Sequence, residues 1–298
     1  MSRIQEILKK AEREGDVHRT RGLATNEPPA GGRTASPSAG ASASAIQTPA
    51  AWPPAPAPRD AVPVTKVRQA EGSLEARLVA AHASQSLAAE QFRSLRTRIK
   101  AAENGHAQRV IIVTSPNTGD GKSLTAANLA LTMAQEFQQR VLLLDADLRR
   151  PSIHHMFGIN ETPGLSDVLM GGSTVEDALV ELPEHHLMVL PSGLVPVHPA
   201  ELLGSAGMRR VIDTLRTRFD RIILDMPPVA PLADVSIASG MVDGILMIVR
   251  AGVTPKPAIE RALAGLEMSK VLGLVLNDAG ASGRYGYDDY DYGGYVAG

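Results

Sequence analysis

The 298 residues contain no cysteine, one tryptophan and only 3% aromatic residues. The missing cysteine excludes disulfides and thiolate metal sites and suits a reducing compartment. With so few aromatics and a hydrophobic content of 44%, any core must be built from Val, Ile, Leu, Met and Ala. No apolar run approaches the roughly 20 residues that span a bilayer. The opening MSRIQEILKKAEREG has no apolar stretch of the signal-peptide kind, so a cytoplasmic protein is expected. A formal net charge of −2 supplies no general basic surface, and no nucleic-acid partner is expected.

What is present is unevenly distributed. Residues 1–21 read as a short amphipathic helix, with Ile4, Ile7, Leu8 and Ala11 at helical spacing. Such a helix needs something to lie against. Without an aromatic anchor, a protein partner or self-docking is favoured over a membrane surface. Residues 22–74 are rich in Pro, Ala and Ser and read as a disordered linker that holds Trp52. Residues 75–280 carry the strand and helix signals, and residues 281–298 form a tail holding all five tyrosines.

The most informative stretch is VIIVTSPNTGDGKSL, from Val110 to Leu124. Four β-branched residues predict a buried strand, a glycine-containing turn follows, and Lys122-Ser123 opens a helical run. That order is the geometry of a phosphate cradle, with backbone N–H groups aimed inward beside a helix N-terminus. The candidate nucleotide contacts are Thr118, Gly119, Asp120, Gly121, Lys122, Ser123 and Leu124. Lys122 is placed to reach the outer phosphates, and the Ser123 hydroxyl to hold Mg²⁺. ATP and Mg²⁺ are the expected cofactors.

Two further strands end in carboxylates. Val141 to Leu144 leads into Asp145-Ala146-Asp147-Leu148-Arg149-Arg150-Pro151, and Arg221 to Leu224 ends at Asp225. Ligands of open α/β sheets sit at the carboxyl ends of strands, so these aspartates are candidates for metal and proton chemistry. If the Val141 strand neighbours the phosphate-loop strand, Asp145 and Asp147 can both approach the γ-phosphate. Ser123, Asp147 and Asp225 are the expected metal ligands. One of Asp145 and Asp147 can take a proton while the other helps hold the metal, an assignment the residues leave open. The alternation of strands and helices from Val110 to Asn277 predicts a doubly wound, mostly parallel α/β sheet.

The loop S-P-N-T-G-D-G-K-S has Pro116 where the common pattern has glycine, and Asn117 where positioning ATPases of the partition and cell-division type carry a second lysine. It resembles instead the phosphate loop of bacterial tyrosine kinases, the family that controls capsule and exopolysaccharide export. The D-x-D-L-R-R-P string, the Leu224-Asp225-Met226-Pro227-Pro228 motif and the tyrosine tail are similar to the same family. So is the E-x-x-R-x-x-R spacing of Glu90, Arg93 and Arg96. Asp120 stands where Glu is usual, Met226 where Thr or Ser is, and His198 where Asn is. His198 itself reads as a loop residue.

The resemblance implies a P-loop fold of the MinD/ParA-like type and an ATP-dependent protein-tyrosine autokinase. Lys122, Asp145 and Asp147 would carry the transfer. Tyr285, Tyr287, Tyr290, Tyr292 and Tyr295 would be the acceptors, modified in trans within a homo-oligomeric ring. Glu90, Arg93 and Arg96 would form the ring contacts, and Asn277 would read adenine, although an ordinary turn asparagine suits that position nearly as well. Implied partners are a separate membrane activator of the polysaccharide chain-length regulator type and a phosphotyrosine phosphatase. The chain would thus associate peripherally with the inner membrane face. Two rival readings are a positioning ATPase and a nucleotide-binding regulator without kinase activity. Asn117 and the tail argue against the first, and the intact Lys122, Ser123, Asp145, Asp147 and Asp225 against the second.

Overall fold

Four aliphatic runs make the centre of one sheet: β2 (Val110–Thr114), β3 (Val141–Asp145), β6 (Arg221–Asp225) and β7 (Gly244–Arg250). The computed structural model describes residues 68–70, 72–103, 107–136, 139–229 and 234–279. The expected N-terminal helix, most of the linker with Trp52, and the five tail tyrosines lie outside the described residues.

The remaining strands are β1 (Arg68–Gln69), β4 (Val180–Leu182), β5 (Leu187–Leu190) and β8 (Val271–Asn277). Their order across the sheet is β1-β4-β5-β3-β6-β2-β7-β8. Only the β4–β5 pair is antiparallel. The mostly parallel α/β sheet expected from the strand–helix alternation is therefore present.

Burial on both faces explains the uninterrupted hydrophobic strands. Ile223 packs into the cluster that includes Leu129 and Met133 of helix α3 (Lys122–Ala134), while Ile222 and Leu224 point to the opposite face. All three are at most 1% exposed, so both sides of the sheet are covered. Helix α3 lies against the sheet on one side and is buried from Thr125 to Ala134. Helices α1 (Val79–His82) and α2 (Leu87–Ala101) pack outside it. The Ser86 side chain caps α2 by accepting the Ala89 N–H at 3.2 Å.

Two expectations need correction. The linker assigned to 22–74 extends too far, because Arg68 and Gln69 pair with Val180 and Glu181 as an edge strand. Two polar residues carry no strand periodicity, so only the partner strand identifies them. Second, β3 does not neighbour β2: β6 lies between them, with Val113 and Asp145 both in register with Asp225. The carboxylates still converge, because the ends of the three strands are level. The helix Lys256–Ala264, between β7 and β8, is capped by Gly265.

Candidate nucleotide site

The loop between β2 and α3 turns on two glycines with left-handed torsions, Gly119 (φ +87°) and Gly121 (φ +94°). Any β-carbon at Gly121 would lie 2.0 Å from Nδ2 of Asn277, so both torsion and space require glycine there. A β-carbon at Gly119 would meet nothing within 4 Å, because that residue faces the open cavity. Asp120, between them, is 2% exposed. Its carboxylate accepts the Asn117 N–H at 2.8 Å and the Thr254 hydroxyl at 2.7 Å.

Lys122, at the first position of α3, turns into the sheet ends. Its ammonium lies 2.7 Å from Oδ2 of Asp147, 3.3 Å from Oδ1 of Asp225 and 3.0 Å from the Ser123 hydroxyl. Burial by itself lowers the lysine's affinity for its proton, yet Asp225 and Asp147 outweigh it and the pKa rises. Asp225 and Asp145 are wholly buried at paired register positions. Burial, and then the charge of Asp225, pushes the Asp145 carboxyl up to about 8. Burial likewise raises Asp225, with Lys122 pulling the other way.

The structure also separates the two aspartates of the D-x-D string. Asp147 lines the cavity, whereas Asp145 sits behind it and accepts N–H bonds from Asp147 (3.2 Å), Ser152 (3.1 Å) and Ile153 (3.1 Å). These bonds fold the chain from β3 into helix α4 (Ile153–Phe157).

The cavity at these strand ends has a volume of about 700 Å³, within the range of small-ligand sites. Thr118, Gly119, Gly121, Lys122, Ser123, Leu124, Asp147 and Asn277 of the expected set line it. Asp120, Asp145 and Asp225 support it from behind. Residues outside that set complete its walls, notably Arg77, Arg149, Arg150, Arg250 and Asp278. Arg149 and Arg150 stood in the D-x-D-L-R-R-P string, but only the fold turns them toward the phosphate loop. Arg250 and Asp278 carry no sequence signal, and they pair with each other at 2.9 Å. Arg77 is brought in by Asn128 of α3, whose amide donates to the Arg77 carbonyl at 3.2 Å and accepts the Ala80 N–H at 3.1 Å.

The residues fit a metal–nucleotide complex. The loop leaves space at Gly119, and two buried carboxylates, Asp147 and Asp225, face one ammonium. Among the described residues no three acidic or imidazole groups form a complete cation cage. Mg²⁺ delivered with a nucleotide needs only one or two carboxylates, because phosphates and water supply the rest.

Glu90, Arg93 and Arg96 lie on α2, away from the cavity lining. Arg93 pairs with Glu90 at 2.6 Å and donates to the Ser84 carbonyl at 2.8 Å, while Arg96 donates to the Thr132 carbonyl of α3 at 2.8 Å. His198 is an exposed residue just before the helix Pro199–Leu203, as a loop reading expects.

Comparison with known proteins agrees with this geometry. A family model described as NUBPL iron-transfer P-loop NTPase, of the ParA type, matches residues 106–280. The tyrosine-protein kinase YwqD of Bacillus subtilis (strain 168) is 38% identical over 226 residues, covering 74% of this chain and 95% of the relative. The chain belongs to the bacterial tyrosine kinase family. The tyrosine-protein kinase CpsD of Streptococcus agalactiae is 35% identical, covering 69% of this chain and 89% of its own. Among solved structures, the chimerical protein CapA2B2 superposes with a TM-score of 0.65 at 32% identity, covering 70% of this kinase and 92% of that chain. No described helix of this kinase is long and apolar enough to cross a membrane.

Proposed function

We propose that this kinase transfers the γ-phosphoryl group of ATP to tyrosines of its own C-terminal tail, and that the reaction runs in trans within an oligomer. The observation that carries the proposal is the buried Lys122–Asp147–Asp225 cluster at the floor of a phosphate-loop cavity rimmed by arginines. Ser123 and Asp225 would hold Mg²⁺, whose charge screens the phosphates, and Asp147 at the open side is left for proton uptake. Lys122 would exchange its carboxylate partners for the outer phosphate oxygens, and loop N–H groups from Gly119 to Lys122 would hold the rest. A loose phosphoryl-transfer transition state asks mainly for such positioning and charge compensation.

A tyrosine hydroxyl has a pKa near 10 and must lose its proton during transfer. We assign proton uptake to Asp147, the only one of the three aspartates that lines the cavity. Asp145, fixed by three backbone N–H groups, orders the loop beneath it. Asn277 spends its amide N–H on the Asp120 carbonyl, which leaves its oxygen for the exocyclic amine of adenine. Arg77 and Arg149 at the rim are paired with Glu75 and Asp234, so the exposed Arg150 is the group that suits a tail in which Asp288, Asp289 and Asp291 flank the acceptors Tyr285, Tyr287, Tyr290, Tyr292 and Tyr295.

The names of the relatives and the asparagine at position 117 favour a kinase over a positioning ATPase. An iron-transfer role, as in the matched model's description, finds no cysteine among the 298 residues to hold a cluster. We assign the kinase to exopolysaccharide or capsule biosynthesis at the inner membrane face. Its partners there would be a separate chain-length-regulator activator and a phosphatase, and Glu90, Arg93 and Arg96 would form ring contacts. The domain plan is a helix at 1–21, a linker that ends before Arg68, the kinase domain and a tail at 281–298. Incubation of purified protein with labelled ATP, read by phosphotyrosine blotting of wild type and a tail-deleted variant, tests the proposal. ATP hydrolysis without phosphotyrosine would favour the positioning ATPase.

A further inference from the structure

Thr254 belongs to no motif and does not line the cavity, yet its hydroxyl joins two walls of the site. The turn that follows β7 is firm: the Arg250 carbonyl accepts the Val253 and Thr254 N–H groups at 3.2 and 3.0 Å. From this turn the Thr254 hydroxyl accepts the Arg250 N–H at 2.9 Å and donates to Oδ1 of Asp120 at 2.7 Å. Oδ2 of Asp120 takes the Asn117 N–H at 2.8 Å, and its backbone carbonyl takes Nδ2 of Asn277 at 2.9 Å. The next strand is joined to the same place, because the Ala251 N–H donates to the Asn277 carbonyl at 2.8 Å.

We propose that Thr254 is a positioning residue that holds the phosphate loop in its anion-accepting shape before nucleotide arrives. The inference rests on the nucleotide reading of the site. Asp120 sits between the two left-handed glycines, which are the loop's least restricted residues. Clamping both carboxylate oxygens and the carbonyl of Asp120 fixes the torsions on either side. The inward N–H groups of Gly119 and Gly121 are then aligned without a phosphate to align them. A loop that visits this shape only part of the time binds more weakly in proportion to that fraction. The clamp also ties the loop to the wall formed by Arg250, Asn277 and Asp278, so the phosphate and base ends of the site keep a constant spacing.

Thr254→Val keeps the shape of the side chain and removes both hydrogen bonds, whereas Thr254→Ser keeps the hydroxyl. Calorimetric titration of the full chain with MgADP and with magnesium pyrophosphate reads the effect. Thr254→Val is expected to weaken both ligands about tenfold, the effect of one hydrogen bond to a charged group, and Thr254→Ser to restore binding to within about twofold. The KM for ATP should rise by the same factor while kcat at saturation holds. Asp120→Asn removes the charged acceptor and carries the same expectation should Thr254→Val fold poorly. The double variant should bind no more weakly than the worse single one, because both break one strap. Wild-type affinity in a folded Thr254→Val or Asp120→Asn protein overturns the proposal, as does a loss confined to kcat. Failure of the wild type to bind MgADP overturns the nucleotide reading instead.

Discussion

Nζ of Lys122 lies 2.7 Å from Oδ2 of Asp147, nearer than to either oxygen of Asp225. One cation therefore closes the floor of the cavity between two strands that are neighbours in space but far apart in sequence. Replacing Lys122 by Met should abolish ATP-dependent phosphotyrosine while the domain still folds, because the ammonium is needed on the outer phosphates. Phosphotyrosine blotting beside circular dichroism checks this. Wild-type phosphorylation in a folded Lys122→Met protein is incompatible with the mechanism.

Asp145 gives the ligand-free domain a pH signature. Its folded carboxyl is raised to about 8, while an unfolded aspartate titrates near 4. Between those values the folded state holds a proton that the unfolded state has released. Stability therefore declines as pH rises through that window, and the decline ends above about 8. Asp225, raised too, acts in the same direction. His154 and His185, both lowered chiefly by burial, act oppositely, but only below their unfolded value near 6.5. Melting temperatures in chelator at pH 7 and pH 8 should fall for the wild type and fall less for Asp145→Asn. Parallel profiles for the two proteins would refute the assignment.

Arg93 and Arg96 should separate when mutated. Arg96 already joins α2 to α3 through the Thr132 carbonyl, so Arg96→Ala is expected to cost about 1 kcal/mol of domain stability. Arg93 makes only surface bonds, to Glu90 and the Ser84 carbonyl, and Arg93→Glu should leave melting unchanged. If α2 forms the ring contact, Arg93→Glu prevents assembly and slows tail phosphorylation while ADP binding persists. Tail phosphorylation should itself weaken assembly, since each phosphate adds nearly two negative charges. Sedimentation of unmodified, phosphorylated and Arg93→Glu protein with the activator segment present decides. Identical monomeric profiles reject the ring.

The linker boundary can be tested by two deletions. Removing residues 22–60 should change neither the melting temperature nor ADP affinity, because that composition cannot build a core. Extending the deletion through Gln69 removes β1 and the Arg68 bonds to the Pro163 and Asn160 carbonyls. A lower melting temperature is expected only for the second deletion. A large drop in the first would mean that the segment contributes to the fold.

Arg150 should matter for the acceptor more than for the nucleotide. It is exposed at the cavity rim, and the tail it would meet carries Asp288, Asp289 and Asp291. Arg150→Ala is expected to lower kcat/KM for a tail peptide by about tenfold, with a smaller effect at high salt. ADP affinity should change little. Equal losses for peptide and ADP would place Arg150 on the phosphates.

The phosphate loop, the buried strands and the three carboxylates at their ends are legible in the residues alone. These signals are local: a short run of Val, Ile and Leu bounded by turn residues reads as a buried strand, and Gly119-Asp120-Gly121-Lys122-Ser123 needs its own spacing to cradle a phosphate. The order of the strands was decided in three dimensions. Nothing local to Val141–Asp145 announces that β6 will lie between it and β2, because strand neighbours are chosen by crossover packing rather than by the residues of one strand. The same holds for β1, two polar residues identified only by pairing with β4. Arg77, the turn that holds Arg250 and Thr254, and Asp278 reach the site from three separate segments, and no spacing links them to the loop they support. Asn277 and Gly121 show the division most clearly. The glycine is legible as part of a motif, but the asparagine amide, 2.0 Å from where its β-carbon would stand, is brought there by the fold alone.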